Sequence, residues 1–132
     1  MTTTSNEAGR VPAAWSVAAD AALVVGFVAI GRSTHDEAGL AGMASTAAPF
    51  LAGLGVGWVL VRRRWAPTST PAGVVVLAAT LIVGLASRRL VFGKGTGPSF
   101  ILVTTATLSV FLLGWRSLVR RVARPTRRHP GR

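Results

Sequence analysis

Four long apolar runs constrain the fold of this sequence more than any other feature. Half of the 132 residues are hydrophobic and only 14% are charged, and the charged residues are gathered in short stretches between the runs. A soluble domain of ordinary composition has about a quarter of its residues charged, with both signs mixed. The segregation of charge therefore predicts one small membrane domain.

The runs predict four transmembrane helices. Crossing a hydrocarbon core of about 30 Å takes roughly 20 helical residues. Because no segment alternates as barrel strands do, helices are the structure that satisfies the backbone in lipid. The expected fold is an all-α bundle over residues 13–122, with spans at about 13–31, 40–61, 72–92 and 97–117. Residues 1–12 are predicted to be a disordered cytoplasmic N-terminus, and 123–132 a basic cytoplasmic tail.

The third run contains two arginines close to its end. Arg88 and Arg89 interrupt the stretch LASRRLVFGKG, and the run reaches a full span only if Leu90 to Phe92 are included. We therefore expect both arginines to lie about one turn inside the end of the helix. Long basic side chains at that depth can reach the headgroups.

Basic residues are distributed unevenly across the predicted topology. With four spans, both termini and the loop between the second and third spans share one side. Of the 15 basic residues, the other side holds only Arg32, Arg88, Arg89 and Lys94. The side rich in basic residues also holds all the tryptophans: Trp15, Trp58, Trp65 and Trp115. Basic residues near span ends are retained in the cytoplasm and indole rings favour the interface, so we predict a multi-pass cell-membrane protein with cytoplasmic termini.

Asp20 is the acidic residue within the first span. A carboxylate at this depth costs about 3 kcal/mol on insertion scales, so it should face the bundle or a wet crevice. Three roles are open: a structural pair with a neighbouring helix, a proton or cation site, or a shallow solvated position. Arg116, one residue past Trp115 in the fourth span, is the predicted partner.

Polar residues recur at helical spacing on the last two spans. Thr105, Ser109 and Arg116 share one predicted face with Leu112, and Thr80 shares a face with Gly84 and Arg88. The hydroxyl groups of such residues often form hydrogen bonds between helices or within one helix. The alternative is a polar site inside the bundle, with these candidates: Asp20, Thr80, Arg88, Thr105, Ser109 and Arg116.

Glycines indicate where helices approach closely. Gly53 and Gly57 form a Gly-x-x-x-Gly pair on the second span, and Gly84 lies on the third. These faces could pack within the bundle or against a second copy of the chain. Two segment pairs, VGFVAIGR with VGLASRR and GWVLVRR with GWRSLVRR, also suggest that two similar helical hairpins follow one another.

Arginines and a histidine mark the side with few basic residues. A cluster of Arg32, His35 and Arg89 would suit a carboxylate or phosphate, and lipid headgroups provide the same chemistry. The chain has no cysteine, and a zinc ligand set cannot be assembled, so neither a metal nor a cofactor is expected. The predicted partners are the bilayer, anionic headgroups that attract the basic tail, and a second copy of the chain. Nucleic acid is not expected, because no aromatic platform accompanies the charge.

These features together resemble a family of small four-helix membrane proteins of actinobacteria and haloarchaea, known as domain of unknown function 3054 (DUF3054). The resemblance covers about residues 13–122. It rests on the order and spacing of Asp20, GRSTH, PF at Pro49, GW at Gly57, the segment 84–89 and GWR at Gly114. It implies an integral membrane protein and no known activity, ligand or cofactor.

Three classes of function remain open for a chain with these features. The first is a structural or interaction component of the membrane, in which Asp20 and the arginines fix helix registry. The second is a small-solute or proton-coupled carrier subunit that uses Asp20 and the arginines on the side with few basic residues. An enzyme is the least supported, since the spans hold neither paired carboxylates nor a serine with a convincing base.

Overall fold

A computed structural model describes residues 12–33, 39–91, 93 and 97–123. It contains α1 (Ala13–Ser33), α2 (Leu40–Val61), α3 (Thr70–Leu90) and α4 (Pro98–Val122). All of these helices are long and apolar enough to cross a membrane. The predicted all-α fold of four membrane-spanning helices is confirmed, and strands are absent from the described residues.

Local sequence explains where the last two helices begin. The Ser69 hydroxyl accepts a hydrogen bond from the backbone N–H of Ala72, and Pro71 lies in the first turn of α3. This cap starts α3 two residues before the predicted span, and the helix ends at Leu90. Arg88 and Arg89 therefore lie in its last turn, whereas Phe92 is outside the described residues. Pro98 similarly opens α4, which continues to Val122, beyond the predicted end at 117.

The helices alternate in direction and pack in a ring in chain order. Each packs on its neighbours in sequence, and α4 closes the ring against α1. In the described part of the chain, the backbones of α1 and α3 do not approach each other closely, and neither do those of α2 and α4. The start of α1, the α2–α3 loop and the end of α4 meet at one end of the bundle, here called the Asp20 end. The opposite end is called the Arg88 end.

Glycines give α2 and α3 the closest approach in the bundle. A Cβ atom on Gly53 would lie 2.8 Å from the carbonyl oxygen of Ala79, and one on Gly57 would lie 2.8 Å from the Cα of Val76. Gly84 of α3 similarly receives the ring of Phe50. These positions leave no room for a side chain, so the predicted packing glycines form the α2–α3 contact.

The core lies mainly between α2 and α3, with contributions from the inward faces of α1 and α4. Phe50, Leu54 and Val76 form its centre with Leu108 and Leu112 of α4. The outward faces of α1 and α4 carry many exposed apolar side chains, among them Ile30 and Leu102. An apolar exterior over helices of this length is typical of a multi-pass membrane protein.

Candidate functional site

Asp20 lies fully buried at the centre of a hydrogen-bond network at the Asp20 end. Arg116 donates to both carboxylate oxygens, from Nη1 to Oδ1 at 2.8 Å and from Nη2 to Oδ2 at 2.7 Å. Trp58 Nε1 donates to Oδ2 at 3.0 Å, and Trp115 Nε1 donates to Oδ1 at 2.7 Å. A carboxylate offers about four acceptor positions, so these four N–H groups fill them.

Arg116 is also fully buried and has further partners around its guanidinium group. Its Nε donates to the carbonyl of Pro67 at 3.1 Å, and its Nη1 also donates to the carbonyl of Leu112 at 2.8 Å. The guanidinium carbon lies 4.8 Å from the ring centre of Trp115 and 5.7 Å from that of Trp58. These distances allow cation–π attraction, so the charge is surrounded by acceptors and aromatic faces.

A glycine on α3 makes space for this side chain. A Cβ atom on Gly73 would lie 2.9 Å from Cδ of Arg116 and 2.9 Å from Cδ2 of Leu113. The arginine can therefore cross the start of α3 and reach the α2–α3 loop. The network thus links α1, α2, α4 and that loop through one ion pair.

The chemistry of this arrangement is that of a closed ion pair. The two opposite charges are buried, and two parallel N–H···O bonds join the guanidinium group to the carboxylate. This bidentate geometry gives the strongest ion pairs. In the described part of the chain, no group of acidic, histidine or cysteine side chains could hold a metal ion. With its oxygens occupied, Asp20 of α1 is hydrogen-bonded to both α2 and α4.

The tryptophans divide between two roles. Trp15 and Trp65 are exposed, as expected for residues that lie against lipid or headgroups. Trp58 and Trp115 instead turn their indole N–H groups inward to Asp20. Sequence reasoning placed all four at one interface and missed this second role. The available signal was that both follow glycine in the repeated GW segments, 57 residues apart.

The face predicted for α4 is partly different in the structure: Leu112 and Arg116 are buried as expected, but the two hydroxyl residues are not. Thr105 is exposed, and the Ser109 hydroxyl donates to the carbonyl of Thr105 within the same helix. The buried face instead carries Thr104, Leu108, Leu112 and Arg116. On α3, Thr80 is buried as expected, but its hydroxyl donates to the Val76 carbonyl of its own helix at 2.7 Å. Thr80, Thr105 and Ser109 therefore do not join the Asp20 network.

A second polar cluster surrounds a cavity of about 620 Å³ at the Arg88 end. Its polar lining comes from all four helices: Arg32, Thr46, Arg88, Ser99 and Thr104. Arg32 Nη1 donates to Oγ1 of Thr46 at 3.3 Å, and the guanidinium carbon of Arg88 lies 4.4 Å from the ring centre of Phe100. Thr104 lies about 18 Å along α4 from Arg116, so the two clusters are separate sites.

The predicted anion site on this side is only partly assembled in the described residues. Arg32 and Arg88 line the same cavity, whereas Arg89 is exposed and does not line it. His35 and Lys94 lie outside the described residues, as do the N-terminal segment to residue 11 and the tail from 124. Their predicted roles stay predictions.

Sequence reasoning did not identify Thr104, Phe100 or Ser16. Thr104 and Ser16 are fully buried, and their hydroxyls find no hydrogen-bond partner within the described residues. Ser16 precedes Asp20 by one turn, and Thr104 lines the Arg88-end cavity. Three steps of four residues back from Arg116 pass Leu112 and Leu108 and reach Thr104, so this spacing could have identified Thr104 as buried.

The comparisons with known proteins identify a family and no closer relative. No curated protein and no solved structure matches this chain. Residues 17–119 match the family described as "Protein of unknown function (DUF3054)". The matched range contains Asp20, Trp58, Trp115 and Arg116 as well as the Arg88-end cavity. The chain therefore belongs to the DUF3054 family.

Proposed function

We propose that this chain is a structural or interaction component of the cell membrane, a helical bundle without turnover. The observation that carries the proposal is the saturation of Asp20 by four N–H donors from α2 and α4. A carboxylate that collects so many donors fixes the register of the helices that supply them. Bound in this way, Asp20 acts as a lock between α1 and the rest of the bundle.

The burial of both partners supports a structural role for the pair. Arg116 is held by Pro67 and Leu112 in addition to Asp20, so it cannot leave the carboxylate without breaking several bonds. A carrier that alternates access needs a site whose contacts change between states. The Asp20 network has instead the features of a permanent contact.

A small-solute or proton-coupled carrier is the second candidate, and the cavity at the Arg88 end is the observation in its favour. A coupled mechanism would require Asp20 and the cavity arginines, Arg32 and Arg88, to act on one solute or proton pathway. They lie at opposite ends of the bundle, and the core side chains Leu108 and Leu112 lie between them along α4. This separation favours the structural proposal.

A proton-flux measurement separates the two functions. The protein is reconstituted into vesicles that enclose a pH-sensitive dye, and an acid pulse is applied outside. We expect the same rate of internal acidification with the wild-type protein, with the Asp20→Asn/Arg116→Met double variant and with protein-free vesicles. Acidification that is faster with the wild-type protein and is lost in the folded double variant would support the carrier.

The orientation is part of the same proposal, with both termini in the cytoplasm. The natural absence of cysteine allows single cysteines to report on it directly. In intact cells, an impermeant thiol reagent should label Lys94→Cys, whereas Thr68→Cys should react only after permeabilisation. The opposite labelling pattern would invert the proposed topology.

A further inference from the structure

We propose that the Arg88-end cavity binds the phosphate and glycerol region of one anionic phospholipid, with an acyl chain leaving between α1 and α4. This inference concerns a binding site separate from Asp20, so it can fail without affecting the lock proposed above. The volume of the Arg88-end cavity, about 620 Å³, lies within the range of small-molecule binding sites.

The charge of the lining selects an anion. Arg32 and Arg88 reach the cavity from α1 and α3, and no acidic side chain lines it among the residues described. Guanidinium groups match phosphate oxygens with two parallel N–H bonds. The contacts with Thr46 and Phe100 hold the two arginines at the cavity wall.

Thr104 provides an independent indication of a ligand. It is fully buried and lines the cavity, and its hydroxyl has no partner in the described part of the chain. A buried hydroxyl without a hydrogen bond is unfavourable, so such groups usually meet a ligand or an ordered water. Thr104 lies one turn deeper in α4 than Phe100, where an ester carbonyl below a bound phosphate could accept its hydrogen bond.

The position of the opening favours a lipid over a soluble anion. The exposed residues of the lining are Gly31 on α1 and Ser99 and Val103 on α4, whereas the lining residues of α2 and α3 are partly buried. The cavity therefore opens between α1 and α4, whose outward faces are apolar. Phe27, Val28 and Val103 offer a hydrocarbon chain an apolar path to this opening.

Native mass spectrometry in a neutral detergent tests the site with dioleoylphosphatidylglycerol and dioleoylphosphatidylcholine as probes. We expect the wild-type protein to bind one phosphatidylglycerol molecule per chain. The Arg88→Gln variant should bind this lipid at least about tenfold more weakly. Arg89→Gln is the matched control, because it removes the same charge at the next, exposed position. The affinity of Arg89→Gln for phosphatidylglycerol should stay within about twofold of the wild-type affinity, since exposed charges contribute little.

The hydroxyl is tested by Thr104→Val, which keeps the side-chain shape. Loss of one hydrogen bond should weaken phosphatidylglycerol binding by about fivefold. Thr80→Val is the control, since its hydroxyl bonds within its own helix and lies outside the cavity lining. It should bind as the wild type does.

A blocking variant keeps the test decisive if Arg88→Gln fails to fold. Val103→Trp places a large ring at the opening and should abolish lipid binding without lowering the melting temperature. Val110→Trp, at an exposed position of the same helix, should bind normally. Equal binding of the two lipids, equal losses in Arg88→Gln and Arg89→Gln, or normal binding by Val103→Trp would overturn the proposal. Displacement of the lipid by millimolar inorganic phosphate alone would assign the site to a soluble anion.

Discussion

Replacing Asp20 with asparagine should lower the free energy of unfolding by about 3–5 kcal/mol, the usual effect of removing one partner of a buried ion pair. The change leaves Arg116 charged and fully buried, and it brings an amide NH₂ group against N–H donors. Arg116→Met should have a similar effect, because it leaves the carboxylate with only its two tryptophan donors. Reversible unfolding in mixed dodecyl maltoside and SDS micelles measures both.

The double variant Asp20→Asn/Arg116→Met distinguishes a paired lock from two independent residues. Because no unpaired charge remains, its loss of stability should be well below the sum of the single losses. Arg121→Met is the control, since it removes an arginine from the exposed last turn of α4 and should change stability by less than about 0.5 kcal/mol. Additive single effects, or single effects as small as that of Arg121→Met, would rule out the lock.

Replacing Gly53 with alanine should destabilise the bundle by about 1–3 kcal/mol through overpacking. The new methyl group would meet the carbonyl oxygen of Ala79 at 2.8 Å and the Cα of Thr80 at 2.9 Å. Both are backbone atoms of α3, so the helices must move apart instead of one side chain turning away. Thermal unfolding in detergent should show a clear decrease in melting temperature.

Gly55→Ala is the matched control for this change. It alters the same residue type two positions further along α2, where a Cβ atom would meet no described atom within 4 Å. Alanine favours a helix over glycine by about 0.5–1 kcal/mol, so the control should be neutral or slightly stabilising. The two variants are therefore expected to have effects of opposite sign. A stabilising Gly53→Ala would contradict the close α2–α3 contact.

Strong physical constraints made the fold predictable from sequence. Apolar runs of about 20 residues with few or no charges can be little else than membrane helices, so their number and approximate bounds follow from length and composition. The rule that buried charge needs a partner also pointed from Asp20 to Arg116, the arginine at a compatible depth on another helix. The structure places these two residues together.

The serine and threonine residues were less informative, because their side chains do not require a partner on another helix. Ser109 satisfies its hydroxyl on its own helix, so it can face outward at little cost. Polarity alone therefore does not distinguish Thr104 from Thr105, and only the four-residue spacing that ends at Arg116 favours Thr104. The tryptophans were ambiguous for a related reason. An indole ring suits both a headgroup interface and a buried acceptor, so residue type alone does not distinguish Trp58 and Trp115 from Trp15. The packing of α2 and α4 around Asp20 does distinguish them.

The ion pair also imposes an order on biosynthesis. Asp20 emerges from the ribosome 96 residues before Arg116, so the first helix must wait for the last one to be made. At about 5–20 residues per second, this delay lasts on the order of 5–20 s. Throughout it, the nascent chain holds a carboxylate that has neither its arginine nor Trp115. A chain truncated before α4 would therefore keep a carboxylate in its first span without three of the four N–H groups that bind it in the complete bundle.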